Sequence, residues 1–221
     1  MGTMHQVFIS GGTGYLGRPL IARLLARGHT LRALARRGSE RKLPPGIEVV
    51  LGNALDAPSF CEAVAPARTY VHLVGTPNPG PLKAAQFRSV DLASVKASAD
   101  AARIARVAHF IYVSVAHPAP VMHAYQAARA EGEAYIQSLG LNATVFRPWY
   151  VLGEGHQWPQ MLKPLYWLGE RTPGFRDGAQ RLGLVTHAQM LDALIAAVEN
   201  PVLGVQVIGV PEIRMARIEP D

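Results

Sequence analysis

The stretch Ser10–Gly11–Gly12–Thr13–Gly14–Tyr15–Leu16–Gly17 constrains this chain more than any other part of it. It follows Val7–Phe8–Ile9, part of a strand expected over Gln6–Ser10, and it runs into Leu16, Leu20, Leu24 and Leu25 at helical spacing. Gly11 permits a tight turn out of the strand. Gly14 lets the backbone approach a bound group with no Cβ in the way, and Gly17 lets the helix pack closely on the sheet. Free N–H groups at the start of such a helix attract anions, phosphates above all. The context of strand, glycines and helix implies a pyrophosphate-binding βα turn, against the plainer alternative of a glycine-rich loop with no ligand.

The same alternation continues along the chain. Strands are expected at Thr30–Leu34, Glu48–Leu51, Tyr70–Val74, Phe110–Ser114 and Ala143–Phe146. Helices are expected at Gly14–Arg27 (stopped by Gly28), Ala57–Val64, Leu82–Ala105 as one or two pieces, and Ala124–Ser138. Repeated βα units predict an α/β protein with a doubly wound parallel sheet, a Rossmann fold. After Arg147–Pro148 the texture changes, and Pro159, Pro164 and Pro173 break the chain into short pieces. An amphipathic helix over Ala188–Val198 and a strand over Val205–Val210 follow. The expectation is one domain over residues 1–221, with about 154–180 and 205–221 forming a small C-terminal lobe. Trp158, Tyr166, Trp167 and Phe175 in that lobe suit an apolar pocket or a partner surface, and periodicity does not separate the two.

Composition narrows the function classes. The 221 residues are 49% hydrophobic and 17% charged, enough for one sizeable core. No apolar run is long enough to span a bilayer, and no targeting segment is recognisable. Cys61 is the single cysteine, so no internal disulfide can form; a reducing compartment, the cytoplasm, is the simplest expectation. The net charge of +6 favours anionic partners. Its densest cluster is Arg36–Arg37 with Arg41–Lys42, and no nucleic-acid-binding signature accompanies it, so nucleic acid is not expected. Eight dispersed histidines offer no metal-ligand spacing. Ser59–Phe60–Cys61 has no base partner nearby in sequence. A protein partner is left open.

The spacing Gly11, Gly14, Gly17 resembles the extended and atypical short-chain dehydrogenase/reductase families. Arg32–Ala33–Leu34–Ala35–Arg36 is similar to their second strand, and Gly52–Asn53–Ala54–Leu55–Asp56 to the turn after the third. Val71–His72–Leu73–Val74–Gly75 resembles the fourth strand with its small residue beside the cofactor, and Arg147–Pro148 with Gly153 the stretch after the sixth. The resemblance covers roughly residues 5 to 155. It implies a nicotinamide dinucleotide held by Gly11, Thr13, Gly14, Tyr15, Leu16, Gly17, Asn53, Ala54, Val74, Gly75, Arg129 and Pro148. No acidic residue lies between Gly17 and Arg37 to hold ribose hydroxyls, whereas Arg36 and Arg37 stand where a guanidinium can take a 2′-phosphate. NADP(H) is favoured, NAD(H) is left open, and two solvated arginines are the bland alternative.

The family's chemistry uses a Tyr-x-x-x-Lys pair on one helix, because a tyrosine of pKa near 10 needs a cation beside it to work at neutral pH. Here Tyr125 is followed by Arg129, which keeps the charge but cannot relay a proton by losing one. Ser114 is the hydroxyl after the fifth strand, although the family's hydroxyl tends to fall one or two residues later, on Val115 or Ala116. Trp149 and Tyr150 narrow the pocket or simply pack in the core. His123 is expected at the surface and His187 at a helix N-terminus. The run Arg129–Ala130–Glu131–Gly132–Glu133 resembles the subgroup containing the Rossmann-type accessory subunit of respiratory complex I, which implies tight NADP(H) binding without clear turnover. Two readings result: an oxidoreductase acting on an unidentified carbonyl or alcohol substrate, and a cofactor-binding sensor or assembly protein. An epimerase or dehydratase would need a larger sugar-binding lobe.

Overall fold

The computed structural model describes residues 4–153 and 181–218. Its strands are β1 (Gln6–Ser10), β2 (Thr30–Ala35), β3 (Glu48–Leu51), β4 (Thr69–His72), β5 (His109–Val113), β6 (Ala143–Phe146), β7 (Tyr150–Leu152), β8 (Leu184–Thr186) and β9 (Val205–Ile208). Among the described residues, seven of them form one parallel sheet in the order β3-β2-β1-β4-β5-β6-β9, and β7 pairs with β8 in a separate small sheet. The central strands are buried along nearly their whole length, as a sheet covered on both faces requires. The strand order reverses between β1 and β4, and in open α/β sheets such a switch point opens a crevice at the C-terminal strand ends.

The helices are α1 (Gly17–Ala26), the single turn α2 (Ala84–Gln86), a π-helical segment (Phe87–Leu92), α3 (Ala93–Ile104), α4 (His123–Ser138), α5 (His187–Glu199) and α6 (Val210–Met215). Successive strand residues point to opposite faces. Phe8, Tyr70, Phe110 and Tyr112 therefore pack with Val95 and Ala99 of α3 and Ala128 and Ile136 of α4. Val7, Ile9, Val71 and Ile111 pack on the other face with Leu20 and Leu24 of α1 and Leu194 and Ile195 of α5. Ion pairs from Arg23 to Asp192 (2.6 Å) and from Arg27 to Glu199 (2.6 Å) join α1 to α5 across their outer edge.

Several expectations are refined. The first helix starts at Gly17, not Gly14, because residues 11–16 are spent on the turn. The helix expected over Ala57–Val64 is two 3₁₀ turns, Ala57–Ser59 and Cys61–Val64, separated where Phe60 enters the core against Phe8. Of the stretch expected in the C-terminal lobe, Val205–Ile208 joins the main sheet. Val205–Ile208 takes the free edge of β6 and satisfies its backbone groups, and α6 packs on α5 behind it. The lobe expected over residues 154–180 lies outside the described residues.

Candidate active-site cleft

The glycine turn is built by close approach. Gly11 has φ +82°, and a Cβ there would stand 2.6 Å from the Leu73 carbonyl carbon, so β4's end closes directly onto the turn. A Cβ on Gly17 would run into the Gly11 carbonyl oxygen and the Gly12 backbone. Gly14 differs: its amide donates to Gly11 O at 3.0 Å, and a Cβ there would meet only that same oxygen, at 3.1 Å. Its remaining side faces the cleft, beside the N-terminus of α1. The turn is a cradle that a side chain would fill, which fits a pyrophosphate.

The crevice at the switch point has two lobes that share Gly11, Gly14, Leu73, Val74, Gly75 and Pro77. One lobe, of about 400 Å³, is lined by Thr13, Arg36, Ser39, Asn53, Ala54 and Leu55. The other, of about 520 Å³, is lined by Tyr15, Leu16 and Gly17 from the turn, Ser114 from β5's end, Tyr125 and Arg129 from α4, and Pro148, Trp149 and Tyr150. The structure thus brings nearly all the candidate residues to one continuous cleft. Arg37 is the exception: it is exposed and does not line either lobe. Asn53 uses its amide oxygen to accept from Leu55 N at 3.1 Å, which leaves one lone pair on that oxygen for a ligand.

Tyr125 and Arg129 sit one turn apart on α4, with the guanidinium 5.1 Å from the tyrosine ring centroid. Arg129 is only 5% exposed. Its Nη1 donates to Val113 O at 2.9 Å, and its Nη2 donates to Asp91 Oδ1 at 2.5 Å. Asp91 is fully buried and accepts also from Thr76 Oγ1 (2.5 Å) and Thr76 N (3.1 Å). Burial alone opposes the guanidinium's charge; Tyr125, Tyr112 and Asp91 more than offset it, so the proton is held more tightly than in a free arginine. Gly75 makes this packing possible, since a Cβ there would lie 2.5 Å from Nη2. The π-helical segment supplies both outer contacts: Phe87 packs at a tilt against Tyr125, ring centroids 4.9 Å apart, and Asp91 pairs with Arg129.

Ser114 is 4% exposed and donates its proton to Glu133 Oε1. The same carboxylate accepts from Arg147 Nε at 3.2 Å and Arg147 Nη2, and it lies 3.3 Å from His117 Nε2. Ser114 therefore turns lone pairs, not its hydrogen, toward the cleft. Sequence reasoning missed Asp91, Thr76 and His117, and it assigned Glu133 no role. Asp91 sits in an alanine-rich stretch where an acidic residue looks like solvent-facing polarity; only its place in the π-helical turn brings it inward.

Behind the turn, Tyr15 packs at a tilt against His187 with ring centroids 4.5 Å apart, and His187 Nε2 lies 3.2 Å from Tyr15 O. A Cβ on Gly153 would collide with the Tyr15 hydroxyl. His187 opens α5, as expected, and Thr186 caps it in a reciprocal pair with Gln189. Among the described residues no helix is long and apolar enough to cross a membrane, and no cluster of three His, Cys, Asp or Glu residues could hold a metal.

A doubly wound sheet with a glycine-built turn at its switch point defines a nucleotide-binding α/β protein. A family described as NAD(P)H-binding matches residues 11–161, and the chain belongs to that family. The chain is 28% identical over 202 residues to a ceramide reductase of Caulobacter vibrioides, covering 90% of this chain and 62% of that protein. It is 26% identical over 222 residues to a 4-hydroxy-2-methyl-3-oxo-4-farnesyl-3,4-dihydroquinoline-1-oxide ketoreductase of Stigmatella aurantiaca, covering 88% and 65%. The chain thus spans less than two thirds of the length of these relatives. The fold is similar to that of the Bordetella bronchiseptica enzyme WbmH in complex with NAD+, with a TM-score of 0.68 at 20% identity, over 94% of this chain and 76% of that one.

Proposed function

We propose that this protein is an NADP(H)-dependent oxidoreductase of the atypical short-chain type, acting on a carbonyl or alcohol substrate in the cytoplasm. One observation carries the reading: Tyr125 and Arg129 line one lobe of a cleft whose other lobe ends at Arg36, with the glycine turn between them. In this reading the turn at Gly14 holds the pyrophosphate, Arg36 the 2′-phosphate, and the lobe at Tyr125 the nicotinamide riboside. When bound, the nicotinamide supplies or accepts a hydride. Tyr125 passes a proton to or from the substrate oxygen, and Arg129 fixes the electrostatics beside it without titrating. Ser114, with its hydrogen on Glu133, accepts from a hydroxyl. Both relatives named above are reductases by description, which supports the same class.

A second reading is a cofactor-binding redox sensor or assembly protein without turnover, akin to the complex I accessory subunit resemblance. Two observations favour it: Arg129 is consumed by Asp91 and Val113 O, and Ser114 offers no proton to a substrate carbonyl. Titration of the protein with NADPH and NADH, followed by a panel of ketones and aldehydes added to the NADPH complex, separates the two. Substrate-dependent oxidation supports the oxidoreductase. Tight binding with no turnover across the panel supports the sensor, and binding of neither nucleotide overturns both.

A further inference from the structure

We infer that Asp91 is a positioning residue that cancels the charge of Arg129 beneath the Tyr125 lobe, and that this cancellation sets how strongly the cleft distinguishes oxidised from reduced nicotinamide dinucleotide. The inference rests on the dinucleotide reading of the cleft given above. An arginine at 5% exposure cannot shed its charge and needs a partner. Asp91 provides one at 2.5 Å and is itself locked by Thr76 from the opposite side. The pair lies directly under the loop that both lobes share, because Gly75 brings the guanidinium against the backbone there. Of the two carboxylates that follow on α4, Glu131 pairs with Lys96 and Arg88, and Glu133 is engaged by Arg147, Ser114 and His117; neither bonds Arg129.

The chemistry of the ligand makes this pairing consequential. Oxidised nicotinamide carries a positive ring charge and reduced nicotinamide is neutral, while the phosphates and adenosine are the same in both. A net charge under the ring therefore acts on one oxidation state and leaves the other almost untouched. An uncompensated Arg129 repels the oxidised ring; the Asp91–Arg129 pair presents a dipole with no net charge. The π-helical segment that delivers Asp91 also delivers Phe87 onto Tyr125, so one short element fixes both members of the Tyr-x-x-x-Arg pair.

Binding constants for NADP+ and NADPH, measured on the full chain by calorimetry and nucleotide fluorescence, test this without any substrate. Asp91→Asn keeps the shape and one of the two accepting oxygens but removes the charge. It is expected to weaken NADP+ relative to NADPH by roughly tenfold. Arg129→Met, which leaves Asp91 unbalanced, is expected to move the ratio the opposite way. The double variant, with neither charge, is expected to return the ratio to within about twofold of the parent. If Asp91→Asn fails to fold, the opposite shift in Arg129→Met and the return in the double variant still decide the matter. Equal losses for both oxidation states in the single variants would mean that Asp91 only holds the fold together, and would overturn the inference while leaving the dinucleotide reading intact. A parent protein that binds neither form would overturn that reading and the inference with it.

Discussion

Gly14 and Gly17 differ in what a methyl group would meet. At Gly14 the only near neighbour is one carbonyl oxygen at 3.1 Å, and the open side faces the cleft. Gly14→Val should therefore leave a folded protein, with circular dichroism and thermal midpoint close to the parent, that no longer binds dinucleotide detectably. At Gly17 the Cβ would overlap the turn's own backbone, so the loss there would be of stability itself. Arg36 lines the cleft while Arg37 does not, which splits two residues that sequence reasoning treated together. Arg36→Ala should weaken NADPH by about tenfold or more while changing NADH little, as expected for a lost charge-assisted pair to phosphate; equal loss for both nucleotides would remove the 2′-phosphate assignment. Residues whose placement is local were legible in the sequence: the three glycines at the turn, Tyr125 and Arg129 on one helix, and His187 at the start of its helix. Asp91 was not, because its meaning depends on a residue 38 positions away and on a turn that nothing in local composition marks.

The alternating strands and helices were readable because buried parallel strands are short apolar runs and α1 carries Leu20 and Leu24 one turn apart. Expected helix ends were displaced by up to three residues where turn geometry, not propensity, set them. The π-helical segment was invisible to periodicity: Phe87–Leu92 contains neither glycine nor proline and differs from an α-helix by its winding alone. The approach of α4 to α3 and β5 depends on Gly132, where a Cβ would stand 2.8 Å from Val95 and 3.0 Å from the Tyr112 hydroxyl. Gly132→Ala would gain up to about 1 kcal/mol of helix propensity, but overpacking costs about 1–3 kcal/mol. The net expectation is a destabilised protein, with a lower urea midpoint and an unchanged slope. Thr186→Ala removes half of a capping box and should cost about 1 kcal/mol in the same measurement.

Over the whole molecule, two buried histidines couple folding to acidity. His72 lies between Ser10 and Ser98, each 3.0 Å from Nδ1, and burial pushes its pKa down to about 3. His109 bonds Thr144 at 2.9 Å, and burial pushes it down to about 4. Unfolded histidines titrate near 6.5, so above that pH neither state gains a proton and stability is complete. As the pH falls from there toward 4 and 3, the unfolded chain takes up protons that the native one refuses, and stability drops. Between pH 7 and pH 5 each histidine should remove about 2 kcal/mol. Urea midpoints across that range should fall steeply in the parent and about half as steeply in His72→Gln; equal slopes would mean that His72 is not held neutral. The doubly wound class was legible at this scale because βα units repeat. The place of residues 205–208 was not, since a strand's neighbour is chosen by whichever edge is left free, here that of β6.

The pairing of α1 with α5 has a consequence for how the chain is made. Leu20, Ile21 and Leu24 of α1 share one buried cluster with Met190, Leu194, Ile195 and Val198 of α5, and the helices are tied by Arg23–Asp192 and Arg27–Glu199. The first of these helices leaves the ribosome about 160 residues ahead of the second. At translation speeds of roughly 5–20 residues per second, the greasy face of the early helix waits about ten to thirty seconds for its cover. During that interval the nascent protein carries a half-covered apolar stripe next to the glycine turn.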